Sequence, residues 1–330
     1  MTANRRAIAV AMAVAVLSVG FAAPPASAAT AFTVSGTETF HPPPYPEQLL
    51  PGYFAGDTIV RVAYPAAIFG MDASIGIAAS GLTSATASAT GPIVLAGFSQ
   101  GAIAVAYEKK RIMSLPADQR PATDRLTFVT IGDPTGPGGI MRFLPFAVPL
   151  LNLTPIIPPD TEYDSVIVNG EYDGWGDFPD RPWNLISLAN ALLGIAYVHG
   201  RYEVTPGGLD LTAVPAGDIT VTTNSLGGTT TSYLIPTPNL PLVQPLRDIG
   251  VPAPIVDALQ NSLKPIVDAG YVRNDPKPTA AQAVTTPGGR GAAVVAPRPQ
   301  RATPASATGR AAADSAPRRA AAAARASAAA

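Results

Sequence analysis

The chain has 330 residues, of which 47% are hydrophobic and 14% are charged, with 36 Pro, 30 Gly and no Cys. The net charge is −1, but the charges are distributed unevenly: residues 1–28 carry +2, residues 278–330 carry +6, and residues 29–277 therefore carry −9. The negative charge of residues 29–277 disfavours a nucleic-acid partner. The absence of Cys excludes disulfides, thiolate metal sites and a cysteine nucleophile, and two His leave little for an imidazole metal centre.

Residues 1–28 have the pattern of an export signal peptide. Arg5 and Arg6 precede an apolar run over 7–23, and Ala26-Ser27-Ala28 supplies small residues for cleavage. The apolar run is short for a bilayer span and two consecutive prolines end it, which disfavours the alternative of an N-terminal membrane anchor. We therefore expect a protein that is secreted or associated with the cell envelope.

Short apolar, β-branched segments alternate with helical segments in the first part of residues 29–277, the expected folded domain. The strand-like segments are 31–35, 58–64, 92–98, 126–131 and 165–169. The helical segments are 73–88, 100–113 and 183–198. Apolar strands separated by helices are typical of a parallel sheet that is covered on both faces. The order predicts an α/β fold with a central, mostly parallel sheet flanked by helices.

Residues 134–159 do not fit this alternation. They are too apolar for a solvated loop and too rich in proline for one regular helix. Two interpretations stay open: a hydrophobic lid or acyl-binding wall above a site, or an irregular connection that packs in the core. The residues that a lid would offer to a substrate are Phe143, Leu144, Phe146, Leu150 and Leu151.

The pattern changes after residue 202. Residues 219–223 and 230–235 flank Ser225-Leu226-Gly227-Gly228 and predict a β-hairpin, and a proline-punctuated helical stretch follows over 246–271. We expect both to pack on the same domain as a C-terminal elaboration.

Residues 278–330 consist mainly of Ala, Pro, Thr, Ser, Gly and Arg. They contain too few large apolar side chains to offset the entropy of ordering, so we predict a disordered tail. Its positive charge leaves two interpretations open, contact with an anionic cell-envelope surface or a low-complexity tail without a partner.

The segment Gly97-Phe98-Ser99-Gln100-Gly101 joins a predicted strand to a predicted helix. A serine on such a sharp turn needs small neighbours on both sides, because the strained backbone packs close to the sheet. Gly97 and Gly101 supply that room, and the helix start offers free N–H groups to a developing oxyanion. The segment therefore predicts a nucleophile elbow with Ser99 as the nucleophile.

A serine nucleophile needs a base, and the chain offers only His41 and His199. The chain order of α/β-hydrolases is nucleophile, acid and then histidine, so His199 fits this order whereas His41 precedes Ser99. We predict His199 as the base and His41 as a surface or turn residue.

The acid is expected after a late strand. Residues 165–169 lead into a glycine-containing turn, which makes Asp173 the best candidate to orient the histidine. Asp177 and Asp180 are rivals in the same loop, and Asp133, after the strand over 126–131, is a weaker candidate. A calcium site in this turn is disfavoured because the spacing lacks the terminal bidentate Glu of an EF-hand loop. We expect no metal and no cofactor.

The second half of an oxyanion hole usually comes from the loop after an early strand. Thr37 follows the first predicted strand and offers an N–H and a hydroxyl, and the Gln100 N–H is the other candidate donor.

These motifs together resemble the PE-PPE domain family, a group of serine α/β-hydrolases related to cutinases in mycolic-acid-containing actinobacteria. The resemblance spans about residues 30–275 and rests on Gly36-Thr37, the Ser99 elbow, Gly132-Asp133-Pro134, Glu171-Tyr172-Asp173-Gly174-Trp175-Gly176-Asp177-Phe178-Pro179 and Tyr197-Val198-His199. It implies an α/β-hydrolase fold with a triad of Ser99, Asp173 or Asp177, and His199. Many members carry a helical PE or PPE module where this sequence has the predicted signal peptide, so we expect general secretion.

The leading hypothesis is a secreted serine esterase or lipase that hydrolyses short-to-medium-chain or lipid esters through an acyl-enzyme on Ser99. The family resemblance also allows an acyltransferase that moves acyl chains onto trehalose-type envelope glycolipids. A third interpretation is a non-catalytic envelope-binding protein with the same fold. The sequence does not indicate an oligomeric state.

Overall fold

Seven strands form one sheet in a computed structural model that describes residues 28–39, 42–204 and 208–276. The strands are β1 Thr30–Val34, β2 Thr58–Arg61, β3 Ile93–Phe98, β4 Leu126–Ile131, β5 Asp164–Gly170, β6 Ile219–Thr223 and β7 Thr229–Ile235. Their order is β2-β1-β3-β4-β5-β7-β6, and every neighbouring pair is parallel except β6 with β7. The predicted α/β-hydrolase fold with a central, mostly parallel sheet is confirmed.

Helices and loops cover both faces of this sheet. The helices are α1 Pro46–Leu49, α2 Met71–Ser88, α3 Gln100–Ser114, α4 Leu185–Tyr197, α5 Gln244–Asp248 and α6 Ala253–Asp268. Alternate residues of the central strands belong to different core clusters: Leu95 and Phe128 pack with α2 and α3, whereas Val94 and Val129 pack with the α1 region on the other face. Because both faces are buried, these strands are continuous apolar runs rather than alternating ones.

The structure adds two details to the prediction for the C-terminal part. The predicted hairpin forms, and β7 pairs in parallel with β5 from Ser165↔Thr230 to Gly170↔Ile235, so the hairpin extends the central sheet. The edge of β5 would otherwise leave its backbone groups unpaired. The predicted helical stretch over 246–271 is two helices, because Gly250 adopts φ +81° and Pro252 follows it.

The proline-rich segment 134–159 is mostly irregular and is held against the start of α2. The Met71 N–H donates to the Leu151 carbonyl (3.0 Å), and the Asp72 N–H donates to the Asn152 carbonyl (2.9 Å). The Asp72 carboxylate accepts bonds from the N–H and the hydroxyl of Thr154 at 2.8 and 2.6 Å. The segment therefore runs from the end of β4 to α2 and is anchored there.

The predicted signal peptide, apart from its last residue, and the predicted tail lie outside the described residues. Among the helices that are described, none has both the length and the apolar composition needed to cross a bilayer.

Gly194 lets α4 pack closely against the loop that follows β5. A Cβ on Gly194 of α4 would lie 1.9 Å from the Tyr172 carbonyl oxygen, which is backbone and cannot move aside. We therefore expect Gly194→Ala to lower the melting temperature by roughly 5 °C or more, since overpacking costs about 1–3 kcal/mol. Gly76→Ala in α2 is the matched control, because its Cβ would meet nothing within 4 Å. It should be neutral or stabilising in the same thermal melt, and equal losses in both variants would contradict the packing argument.

Candidate active site

Ser99 lies at a sharp turn between β3 and α3, with φ 53° and ψ −113°. A positive φ is costly for a residue with a side chain, and close packing around the turn holds it there. A Cβ on Gly97 would lie 2.2 Å from the Gly101 carbonyl oxygen, and a Cβ on Gly101 would lie 2.4 Å from the Val34 carbonyl oxygen. Both glycines are thus required by backbone contacts, as the elbow motif predicts.

His199 follows α4 and lies over this turn. Its Nε2 is 2.8 Å from Ser99 Oγ, and its Nδ1 is 2.8 Å from Asp173 Oδ2. With the carboxylate ionised, Nδ1 carries the proton and donates to Asp173, which leaves Nε2 to accept the serine hydroxyl. The imidazole is buried and stacks on the Phe98 ring at a centroid distance of 5.3 Å, which fixes its plane. The structure thus brings together the predicted serine, acid and base.

The Asp173 carboxylate is fully buried and accepts two further hydrogen bonds. The Trp175 N–H donates to Oδ1 and the Tyr202 hydroxyl donates to Oδ2, each at 2.8 Å. The Gly170 N–H in turn donates to the Tyr202 oxygen. Burial, reinforced by the charge of Asp173, raises the pKa of Tyr202 well above its usual value, so the phenol remains a donor.

Sequence reasoning missed Tyr202. The residue stands three positions after His199 in the 3₁₀ turn His199–Val204, where side chains at i and i+3 eclipse one another. The spacing is therefore a usable signal, but only once the 3₁₀ turn itself is known.

The alternative acids have other partners. Asp177 pairs with the Arg273 guanidinium at 2.8 and 3.0 Å and accepts the Tyr172 N–H at 2.7 Å. Burial raises the pKa of Asp177 to about 6, while Arg273 and the Tyr172 N–H act to lower it, so the carboxyl is ionised at neutral pH.

Asp180 pairs with Arg142 at 2.7 Å, and Asp133 accepts the N–H and the hydroxyl of Thr135 at 2.8 and 2.7 Å. Within the described part of the chain, Asp173 is the acid that hydrogen-bonds to His199. The other histidine, His41, lies outside the described residues.

Thr37 and Gln100, the predicted oxyanion donors, line the same cavity as Ser99 and His199. Gln100 opens α3 directly after Ser99, so its N–H has no acceptor within the helix. The loop that carries Thr37 is held by the Tyr64 hydroxyl, which donates to the Ser35 carbonyl (2.8 Å) and the Gly36 carbonyl (2.9 Å). Both donors therefore sit on fixed backbone.

The cavity has a volume of about 350 Å³ and a mainly apolar lining. Of the five predicted lid residues, Leu151 lines it. The apolar lining also includes Ile68, Met71, Ile103, Leu153, Trp175 and Ile195.

The other four predicted lid residues lie elsewhere. The Phe143 ring packs against Phe178 at 5.3 Å, Leu144 is half-buried, and Phe146 and Leu150 are 79% and 77% exposed. The segment 134–159 borders the cavity at Pro134, packs near the acid loop, is largely exposed around residues 145–150, and borders the cavity again at Leu151 and Leu153. A wall of the cavity therefore fits Leu151 but not these four residues, and a lid function for the segment stays a prediction.

Comparison with known proteins places this site in a family. A family model described as the PE-PPE domain matches residues 44–272. The PPE family protein PPE63 of Mycobacterium tuberculosis is 38% identical over 241 residues, which cover 68% of this chain and 48% of that protein.

Two relatives from the same organism carry names that state an activity. The diacyltrehalose acyltransferase Chp2 is 40% identical over 195 residues, which cover 56% of this chain and 53% of that protein. The esterase PE16 is 42% identical over 184 residues, which cover 55% of this chain and 34% of that protein. The chain spans about half the length, or less, of these three relatives. With the PE-PPE domain matched over most of its folded part, the chain belongs to the PE-PPE domain family.

Proposed function

We propose that this chain is a serine esterase that cleaves carboxylic esters through an acyl-enzyme on Ser99. The observation that carries the proposal is the chain of two 2.8 Å hydrogen bonds from Ser99 Oγ through the His199 ring to Asp173. Such a chain lets an imidazole take the serine proton at the moment of attack and keeps the resulting imidazolium next to a carboxylate.

The reaction has two halves. Ser99 Oγ attacks the ester carbonyl carbon while His199 Nε2 takes the hydroxyl proton, and the N–H groups of Gln100 and Thr37 stabilise the oxyanion. When the tetrahedral intermediate collapses, the C–O bond to the alcohol breaks and His199 gives that oxygen its proton. Water, deprotonated by His199, then attacks the acyl-enzyme and releases the acid and free Ser99.

The apolar cavity beside Ser99 supports an acyl chain as the group that is bound. Its wall consists of aliphatic and aromatic side chains around a few polar groups at the reacting end, which suits an alkyl chain attached to an ester. We therefore propose short-to-medium-chain or lipid esters as the substrate class. The predicted signal peptide makes the extracellular side or the cell envelope the proposed place of action, with the basic tail as a proposed contact to anionic envelope lipids.

A second function, acyl transfer, uses the same acyl-enzyme and replaces water by a sugar hydroxyl. The 40% identity to a protein named a diacyltrehalose acyltransferase supports this alternative, as the 42% identity to a protein named an esterase supports hydrolysis. The chemistry at Ser99 is common to both, so only the acceptor distinguishes them.

Replacing the nucleophile tests the enzyme proposal. We expect Ser99→Ala to reduce kcat/KM for a p-nitrophenyl ester by at least about 10³-fold, because the acyl-enzyme can no longer form. Mass spectrometry after treatment with a p-nitrophenyl phosphonate should place the added mass on Ser99 in the unmodified chain and show no addition in the variant. Equal turnover by both proteins would show that Ser99 is not the nucleophile and would overturn the proposal, whereas no turnover by the unmodified chain would favour a non-catalytic, envelope-binding function.

The acid is tested by a matched pair of variants in one loop. Asp173→Asn should lower kcat by about 10³–10⁴-fold, since the amide favours the wrong imidazole tautomer. Asp177→Asn should cost far less activity, because Asp177 contacts Arg273 and the Tyr172 N–H rather than the imidazole. Thermal melts of both variants separate loss of fold from loss of chemistry. The reverse ranking of activities would make Asp177 the acid.

Product analysis separates hydrolysis from transfer. An acyl ester is incubated with the protein in the presence and absence of trehalose, and the products are resolved by chromatography and mass spectrometry. Free acid alone in both reactions is the result expected for an esterase, whereas acylated trehalose formed only in the presence of Ser99 would make the transferase reading correct.

A further inference from the structure

The outer surface of α4 is apolar over its whole length. Leu185–Tyr197 contains no charged residue, and the helix packs inward through Ser187, Asn190, Ala191 and Gly194. Outward it presents Leu185 at 70% exposure and Leu192 at 52%. Trp183, just before the helix, is 74% exposed. Surface helices normally have a charged outer face, so this apolar outer face is unusual. We name Trp183, Leu185 and Leu192 the α4 rim.

A second exposed apolar group lies where the segment 134–159 meets α2. Phe69 is 66% exposed, and Phe146 and Leu150 are 79% and 77% exposed. The backbone bonds between 71–72 and 151–152 bring the loop of Phe69 next to the part of the segment that contains Leu150. We name Phe69, Phe146 and Leu150 the α2 rim.

The two rims border the cavity on different sides. Phe69 of the α2 rim follows β2 and the α4 rim follows β5, and these strands lie on opposite sides of β3, which carries Ser99 at its end. Phe146 and Leu150 follow β4 in the sequence, and the backbone bonds of residues 151 and 152 hold the end of their segment at α2. Each rim also continues into the cavity wall, through Ile68 beside Phe69 and through Ile195 one turn beyond Leu192. The exposed apolar surface is thus continuous with the lining around Ser99 on two sides.

We propose that both rims insert into the surface of a lipid assembly, so that the cavity opens directly into the layer that holds the ester. This inference rests on the proposed function and names how its substrate is presented. A folded protein or a second copy that covered both rims would close the entrance between them, whereas a fluid lipid layer covers the rims and still supplies substrate. A tryptophan at the edge of the α4 rim suits the boundary between water and lipid.

The binding test uses the full chain and vesicles of phosphatidylcholine, which carry no net charge and so exclude attraction to the basic tail. Two variants test the rims: the double variant Leu185→Ser/Leu192→Ser on the α4 rim and Phe69→Ser on the α2 rim. Each should lower the fraction of protein bound to vesicles in flotation by about tenfold or more. Leu226→Ser is the matched control, because Leu226 is 49% exposed in the β6–β7 turn, which lies at the amino end of β5, whereas the site follows the carboxyl end of that strand. It should bind as the unmodified chain does.

Activity on two substrates separates the lipid-docking proposal from the esterase proposal on which it rests. The rim variants should retain turnover of soluble p-nitrophenyl acetate and lose turnover of an ester embedded in the vesicles, and Ser99→Ala should still bind vesicles. If the rim variants bind vesicles as well as Leu226→Ser does, the docking proposal is wrong while the esterase proposal stands. If they instead change a dimer into a monomer in size-exclusion chromatography without changing vesicle binding, the rims form a contact between copies. Vesicle binding by a chain that turns over no ester would overturn the esterase proposal alone.

Discussion

The buried carboxylate of Asp173 is the constraint on which the arrangement of the site depends. A charge without water contact is costly unless donors surround it, and this one receives the His199 ring, the Tyr202 hydroxyl and the Trp175 N–H. Those three donors come from the loop after β5 and the turn after α4. The position of the imidazole over Ser99 thus follows from how the fold satisfies a single buried acid.

Helix α4 links this local requirement to the wider molecule. Its small inner residues let the backbone approach the Tyr172 carbonyl closely, which sets where the helix ends and therefore where His199 begins. Its outer residues are free of that requirement, yet they are apolar rather than charged. The same helix therefore positions the base with one face and, in our proposal, meets the lipid with the other.

Ser99 and His199 could be predicted from the sequence alone, because Ser99 lies in a local glycine motif and His199 is one of only two histidines. The glycine spacing reports a strained turn directly, and the chain has only two histidines to choose from. The choice between Asp173 and Asp177 stayed open because it depends on Arg273, a partner 96 residues from Asp177 in the sequence. The positions of Phe146 and Leu150 could not be predicted from the sequence, because apolar composition indicates affinity for an apolar phase without saying whether that phase is the cavity, the core or an external surface.

Two buried acids share one loop, and their partners differ in a way that bears on catalysis. Asp177 faces a guanidinium that is always charged, so its negative charge is compensated at every stage. The proposed mechanism requires that the imidazole beside Asp173 is neutral before the reaction, so that hydrogen bonds alone meet the charge of Asp173 in the resting state. In the proposed mechanism the imidazole becomes cationic only as Ser99 attacks the ester. The ion pair between Asp173 and the imidazolium then exists in the transition state and the intermediate but not in the resting protein. An interaction accelerates a reaction only when it is stronger in the transition state than in the ground state, and this ion pair meets that condition.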